Sequence, residues 1–274
     1  MRPLEALTLV ALLSSLLIRF VPKGKRTRWL SYLPTLPALL ALLQLAREGY
    51  RWQMIPAYAL TAVLLIMAVQ PIVSRTPARL HPPSPRRRVL STACTALGLL
   101  ILLIAAALPA LFPVFQFPEP TGSYAVGTGF LYWVDMARPD TCTPDPNDHR
   151  EVSAQIWYPA DPDTGGKPIP YMPKEAGSAL AESFDIPAPM FDHFALVRTH
   201  SYLNAGVARA GAPFPVITYS TSGLMSSHIA LFEELASHGY VVLCIGHPYW
   251  NPFVYGAGGE ALPFDGENDC YEAW

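Results

Sequence analysis

Two polar stretches of this sequence carry the residue types that acyl transfer requires. Ser220-Thr-Ser-Gly-Leu224 and His247-Pro-Tyr249 each follow an apolar run. Acyl transfer uses a serine nucleophile, a histidine base held by a carboxylate, and backbone N–H groups that stabilise the oxyanion. A Ser222–His247 nucleophile–base pair is one interpretation, but no carboxylate is clearly placed in the sequence to orient the imidazole. The favoured interpretation is that Ser222, His247 and Tyr249 lie in or near a pocket.

The segments around these stretches predict a strand, a helix and a second strand. Phe214–Tyr219 and Tyr240–Ile245 are short apolar runs bounded by turn signals, which is typical of buried parallel strands. Between them, Ile229, Phe232 and Ala236 recur at helical spacing. Ligands of such sheets bind at the carboxyl ends of the strands. Both polar stretches lie at those ends.

An antiparallel hairpin is predicted upstream of this unit. Residues 124–135 carry apolar side chains at mostly alternate positions, and Glu151–Pro159 alternates with Val152, Ala154, Ile156 and Tyr158 on one face. Residues 174–212 give no clear pattern beyond two short candidate helices. The hairpin, this irregular stretch and the strand–helix–strand unit together predict a mixed, mostly parallel sheet.

The charge distribution divides the chain into two halves. Residues 1–117 contain 13 Lys and Arg against two acidic residues, and residues 118–274 contain 6 Lys and Arg against 19 Asp and Glu. A basic, apolar half followed by an acidic half predicts a membrane anchor over 1–117 and a globular domain over 118–274. Neither half has the basic surface pattern that nucleic-acid binding requires.

Four apolar runs in the first half predict four membrane-spanning helices, since each approaches or exceeds the ~20 residues that cross a bilayer. They are Leu4–Phe20, Trp29–Ala46, Met54–Val73 and Val89–Phe115. The first and third intervening loops are the basic ones, carrying Arg19, Lys23, Lys25, Arg26 and Arg28, and Arg75, Arg79, Arg86, Arg87 and Arg88. By the positive-inside rule these loops are cytoplasmic. The prediction is a multi-pass cell-membrane protein whose C-terminal domain is extracytoplasmic.

Several segments in a fixed order resemble a known family. They are Pro118-Glu-Pro-Thr-Gly-Ser-Tyr-Ala-Val-Gly-Thr128, Asp148-His-Arg-Glu-Val-Ser-Ala-Gln-Ile-Trp-Tyr-Pro-Ala160, Pro215–Gly223, Glu234-Leu-Ala-Ser-His-Gly-Tyr-Val-Val242 and His247-Pro-Tyr249. Together they are similar to the N-terminal half of the type II platelet-activating-factor acetylhydrolases, which are α/β-hydrolases. The resemblance implies a serine esterase of short-chain acetyl esters, including those on phospholipids, with membrane lipid as a partner and no cofactor or metal.

The resemblance also implies which site residues this chain holds. One oxyanion donor of the family comes from the loop after the third strand, which here implies the backbone N–H of Leu224, or next that of Gly223. The family's serine lies in a Gly-x-Ser-x-Gly turn after the fifth strand, and that motif is absent from this sequence. We therefore expect no catalytic side chain here, a catalytic half beyond residue 274, and an open sheet edge at Val216–Tyr219.

Two further expectations remain from the sequence. Cys142 and Cys270 lie in polar surroundings and are predicted to form a disulfide if the domain is extracytoplasmic. The alternative function is a non-catalytic membrane protein whose degenerate hydrolase domain serves for binding. A Gly-x-Ser-x-Gly sequence downstream in the reading frame would favour the esterase, and a stop codon at position 275 would favour the alternative.

Overall fold

The chain forms two compact units, Met1–Val114 and Phe115–Trp274. The computed structural model describes residues 1–21, 30, 32–73, 84–140, 142–143, 145–161, 166–220, 223–256 and 261–264. The first unit is helical and the second contains a sheet with helices.

The first unit contains four helices within its described residues. They are α1 (Pro3–Leu17), α2 (Leu36–Glu48), α3 (Ile55–Val73) and α4 (Pro85–Leu111). Leu12, Leu16, Met54 and Ala57 lie at the centre of their shared apolar core. The outer faces remain apolar too, because large side chains such as Leu39, Ile66 and Leu103 are more than 60% exposed.

The prediction of four membrane-spanning helices is wrong. Among the described residues only two helical stretches, Trp52–Gln70 and Val89–Leu111, are long and apolar enough to cross a membrane. The first predicted span, Leu4–Phe20, forms a 15-residue α-helix, which is about 22 Å long against a hydrocarbon core of about 30 Å. The second, Trp29–Ala46, yields only the 13-residue α2.

Prolines explain why the second predicted span is short. Pro34 lies in a short 3₁₀ helix, Leu33–Thr35, and Pro37 occupies the first turn of α2. Proline fits the first turn of a helix but breaks a helix interior, so the α-helix can begin only at Leu36. Most of the basic residues of the first predicted loop, and Arg75 and Arg79 of the third, lie outside the described residues.

A buried ion pair connects separate helices of the first unit. Glu5 of α1 is fully buried, and one of its carboxylate oxygens lies 3.2 Å from the guanidinium of Arg51, which is also buried. Arg2 approaches the same carboxylate to 2.8 Å, and Arg51 also donates to the carbonyl of Phe112 after α4. Removing one partner of such a pair leaves an uncompensated buried charge. The pair therefore ties α1, α4 and the segment before α3 together.

The second unit is built on a five-stranded sheet within the described residues. Its strands are β1 (Ala125–Pro139), β2 (His149–Ala160), β3 (Ser201–Leu203), β4 (Val216–Ser220) and β5 (Val241–Gly246). The strand order is β3-β1-β2-β5-β4. A separate antiparallel pair is formed by β6 (Phe253–Tyr255) and β7 (Ala261–Pro263).

The directions of the strands correct one sequence-based expectation. β1 with β2 and β2 with β5 are antiparallel, whereas β1 with β3 and β4 with β5 are parallel. The described part of the sheet is thus evenly mixed rather than mostly parallel, which is compatible with an α/β fold. The hairpin expected from the alternating segments is present as β1–β2, with Ala125 opposite Ala160 and Asp135 opposite Arg150.

The helix between β4 and β5 forms the core of the second unit with the sheet. This helix, α6 (Ile229–Ser237), packs against β1, β2 and β5. Its Phe232 ring lies 4.8 Å from the ring of Trp157 and 5.3 Å from that of Tyr219, measured between centroids. Trp157 is fully buried. The predicted apolar face of α6 is therefore the face that meets the sheet.

A carboxylate also lies on this buried face of α6. Glu233 is fully buried and accepts hydrogen bonds from the Ser201 hydroxyl at 2.5 Å and from the His200 N–H at 2.7 Å. Burial raises the pKa of Glu233. Ser201 begins β3, so this contact connects the helix to the far edge of the sheet.

The second unit has a further α-helix, which lies between β2 and β3 in the sequence. This helix, α5 (Lys174–Ser183), shares an apolar cluster with Met172 and Phe253, against which Leu224 packs. Nine residues, Ala188–Leu196, follow it as a 3₁₀ helix. This cluster places the loop after β4 against a fixed apolar surface.

We expect the Trp157–Phe232 contact to dominate the stability of the second unit. Trp157→Ala should lower its free energy of unfolding by about 3–5 kcal/mol, because a large buried ring leaves a cavity. Trp133 of β1 is the matched control, since it is 47% exposed, and Trp133→Ala should cost less than about 1 kcal/mol. Urea unfolding followed by circular dichroism measures both. Equal losses in the two variants would contradict the assignment of the core.

Candidate active-site loops

The carboxyl ends of β4 and β5 meet because the two strands are parallel neighbours. Ser220, the last residue of β4, lies opposite Ile245 in the register. The chain leaves β5 at Gly246 and enters the turn that begins with His247. This brings the hydroxyl of Ser220 to 2.8 Å from Nε2 of His247. The sequence considered His247 beside Ser222, but the described partner of the imidazole is Ser220.

The surroundings of His247 favour the neutral form of its imidazole. Burial lowers the pKa of His247, and the positive charge of Arg150 on β2 lowers it further. A neutral imidazole with its proton on Nδ1 can accept the Ser220 hydroxyl hydrogen at Nε2. No carboxylate of the described residues is hydrogen-bonded to this ring. Within the part of the chain that the structure describes, the pair therefore has no third member to orient a catalytic imidazole.

A buried side-chain amide connects the two loops. Asn251 is only 1% exposed, and its Oδ1 accepts a hydrogen bond from the His247 backbone N–H at 2.5 Å. Its Nδ2 donates to the carbonyl of Gly223 in the loop after β4. The Asn251 backbone N–H also donates to the His247 carbonyl at 3.0 Å. The turn after β5 is thereby fixed to the loop after β4.

The two residues predicted as oxyanion donors are both described. Gly223 is half-buried, and its carbonyl is the one that Asn251 holds. Leu224 is half-buried with its side chain against the α5 cluster, and its backbone N–H donates to no other described residue. Leu224 immediately precedes the 3₁₀ turn Met225–His228 that leads into α6. Its N–H therefore has donor capacity that no described residue uses.

Close packing at the end of β5 keeps the two loops in place. A Cβ atom added at Gly246 would lie 2.7 Å from Sδ of Met225 and 3.2 Å from both Oγ of Ser153 and Cγ1 of Val254. Such distances are shorter than ordinary van der Waals contacts. A larger residue at this position would therefore require the side chains of Met225, Ser153 and Val254 to shift.

The other predicted site residues have different outcomes. Ser222 lies outside the described residues, so its place in a pocket stays a prediction. Tyr249 is half-buried in the turn after β5 and has a positive φ of 66°. Cys142 is in a disulfide and Cys94 and Cys244 are free. Cys270 lies outside the described residues, so its pairing with Cys142 also stays a prediction.

Sequence reasoning missed Ser220, Asn251 and Arg150 as members of the site. Ser220 could have been included from its position at the end of an apolar strand. Asn251 and Arg150 carry no such signal, because their roles depend on contacts with residues far away in sequence. No cluster of three or more His, Cys, Asp or Glu residues that could hold a metal occurs in the described part of the chain.

Comparisons with known proteins give a partial likeness to solved structures and no match elsewhere. No protein-family model matches the chain, and no curated protein matches it either. Among solved structures, a ferulic acid esterase from Streptomyces cinnamoneus aligns at 28% identity and a TM-score of 0.43 over 55% of this chain. The alignment spans 41% of the esterase. A likeness at this score carries no argument about fold or activity.

The lowered pKa of His247 predicts a pH dependence of stability. The usual pKa of 6.5 applies to the unfolded chain, which therefore binds the proton first as the pH falls below about 6.5. The folded state then loses stability, and the loss ends below the lowered pKa of the folded protein. Thermal unfolding between pH 8 and pH 5 should show this loss in the wild type relative to His247→Gln. Parallel pH curves for the two proteins would contradict the lowered pKa.

Proposed function

We propose that the second unit is the N-terminal part of an esterase-like α/β-hydrolase and contributes one oxyanion donor and a pocket wall to its active site. The donor is the backbone N–H of Leu224. The wall is formed by the turn that contains His247 and Tyr249. The Gly-x-Ser-x-Gly turn that carries the nucleophile in such hydrolases does not occur in residues 1–274, and we assign the nucleophile to none of them.

The observation that supports this proposal most strongly is the strand order, because it determines where the loop after β4 lies. The hairpin β1–β2 is followed in the sheet by β5 and then β4, which is the order that α/β-hydrolases use for their first four strands. In that order the fifth strand pairs with the exposed edge of β4, where Val216 is 63% exposed. A nucleophile at the end of such a strand would lie beside the loop after β4. An N–H without an acceptor among the described residues is suited to an oxyanion there.

The proposed substrate class is a short-chain ester, in particular an acetyl ester carried on a phospholipid. The support for this finer proposal is the resemblance of five ordered segments to the type II platelet-activating-factor acetylhydrolases. Apolar outer faces on α3 and α4 support attachment to a membrane. Such attachment would place the site close to lipid substrates.

The orientation in the membrane is part of the same proposal. Val89–Leu111 is the last of the two apolar stretches before the second unit in the sequence, and the segment that precedes it carries Arg75, Arg79 and Arg86. The positive-inside rule assigns this basic segment to the cytoplasm. The second unit would then be extracytoplasmic, where the disulfide of Cys142 is stable.

A second candidate is a binding protein that uses a degenerate hydrolase domain without catalysis. The observation that favours it is the state of the Ser220–His247 pair, which has no carboxylate partner among the described residues. The absence of a Gly-x-Ser-x-Gly motif from the sequence agrees with it. The two candidates differ in whether any ester is turned over.

Ester turnover by two forms of the protein distinguishes the candidates. The product of the full reading frame should hydrolyse p-nitrophenyl acetate and a 2-acetyl phospholipid, and should act more slowly on long-chain esters. Residues 1–274 produced alone should show no turnover above buffer, because they lack a nucleophile motif. A chromogenic assay at equal protein concentration measures both forms.

Two results would contradict this proposal. Absence of turnover by the full product would favour the binding protein. Turnover by residues 1–274 that disappears in Ser222→Ala, or in Ser220→Ala, would place the nucleophile within this chain. Tyr202→Phe, a change outside the loops, serves as the control for activity that is lost during preparation of a variant.

A further inference from the structure

The turn after β5 contains one buried amide that uses both its donor and its acceptor. Oδ1 of Asn251 accepts from the His247 N–H and Nδ2 donates to the Gly223 carbonyl, which belongs to a residue 28 positions away in the sequence. A backbone N–H needs an acceptor and a carbonyl needs a donor. Only one orientation of the amide satisfies both, so the contacts themselves fix it.

The Gly223 carbonyl and the Leu224 N–H belong to the same peptide group. A trans peptide is planar, and its C=O and N–H bonds point in opposite directions. No cis peptide bond occurs in the described part of the chain. When Asn251 holds the carbonyl on one side of the loop, the Leu224 N–H must point to the other side.

The backbone of the turn is strained at Tyr249, so the contacts of Asn251 are maintained against a conformational energy cost. Tyr249 has a φ of 66°, in the left-handed region that disfavours bulky side chains. Strain of this kind persists only where surrounding contacts over-determine the conformation, and it is concentrated at functional sites. The hydrogen bonds from the Trp250 and Asn251 N–H groups to the His247 carbonyl and the side-chain contacts of Asn251 are those contacts.

We infer that Asn251 is a positioning residue that aims the Leu224 N–H at the oxyanion of the reacting ester, an inference that rests on the proposed esterase function. Asn251 acts through the Gly223–Leu224 peptide and does not touch the substrate. An oxyanion donor binds the transition state more strongly than the ester itself. If the Leu224 N–H no longer points at the oxyanion, kcat should therefore fall and KM should remain nearly unchanged.

Asn251→Asp is the decisive variant because it keeps the acceptor and removes the donor. The carboxylate can still accept from the His247 N–H, but it repels the Gly223 carbonyl and releases the peptide. Asn204→Asp is the matched control, since Asn204 is exposed, follows β3 and has a φ of 51° that Asp tolerates. The two variants share the same chemical change.

Kinetics on the full-frame protein give the first test. With p-nitrophenyl acetate, kcat per titrated active site should fall about tenfold to a hundredfold in Asn251→Asp. Removing an oxyanion donor altogether typically lowers kcat by about 10²–10³. The KM of Asn251→Asp, and both kcat and KM of the Asn204→Asp control, should remain at wild-type values. The preference for the acetyl oxoester over its thionoester should fall as well, because sulfur accepts hydrogen bonds poorly. Titration of active sites removes the contribution of misfolded protein. Unchanged kcat and unchanged preference would overturn the inference.

A crystal structure of Asn251→Asp gives the second test and does not depend on activity. The Gly223–Leu224 peptide plane should rotate away from its wild-type orientation. A plane that keeps its orientation would overturn the inference, even if kcat fell. If the wild type hydrolyses no ester, the proposed function fails, whereas the orientation of this peptide still decides whether Asn251 aims it.

Discussion

The parallel pairing of β4 with β5 is the constraint on which the rest of the second unit depends. It runs from Val216 opposite Val241 to Ser220 opposite Ile245, so both strands end at one edge of the sheet. The helix α6 connects them and covers the sheet with Phe232 against Trp157. Without this pairing, the loop after β4 and the turn after β5 would not lie side by side.

The contacts between these two loops bring the polar groups at the ends of β4 and β5 together in one site. Asn251 joins them with two hydrogen bonds from one side chain, and Ser220 meets His247 at the outer edge of the same site. Burial lowers the pKa of the imidazole. The proposed function uses this arrangement as an aimed backbone donor and a pocket wall. A carboxylate to orient the imidazole is not among the described residues.

Local patterns in the sequence predicted the local structure well. The hairpin, β4, α6 and β5 each depend on periodicity within a few residues, and each is present. Hydropathy failed for the span Trp29–Ala46, because an apolar composition does not say where a helix can begin, and Pro34 and Pro37 delay it. Contacts between distant residues, such as Glu5 with Arg51 or Gly223 with Asn251, leave no local pattern to detect.

The central claim is that this chain supplies the oxyanion donor and pocket wall of an esterase, while the nucleophile lies outside it. Covalent labelling of the full-frame protein with a fluorophosphonate, followed by mass spectrometry of its peptides, tests the claim most directly. We predict a single labelled serine located after residue 274. A label on Ser220 or Ser222 would contradict the claim.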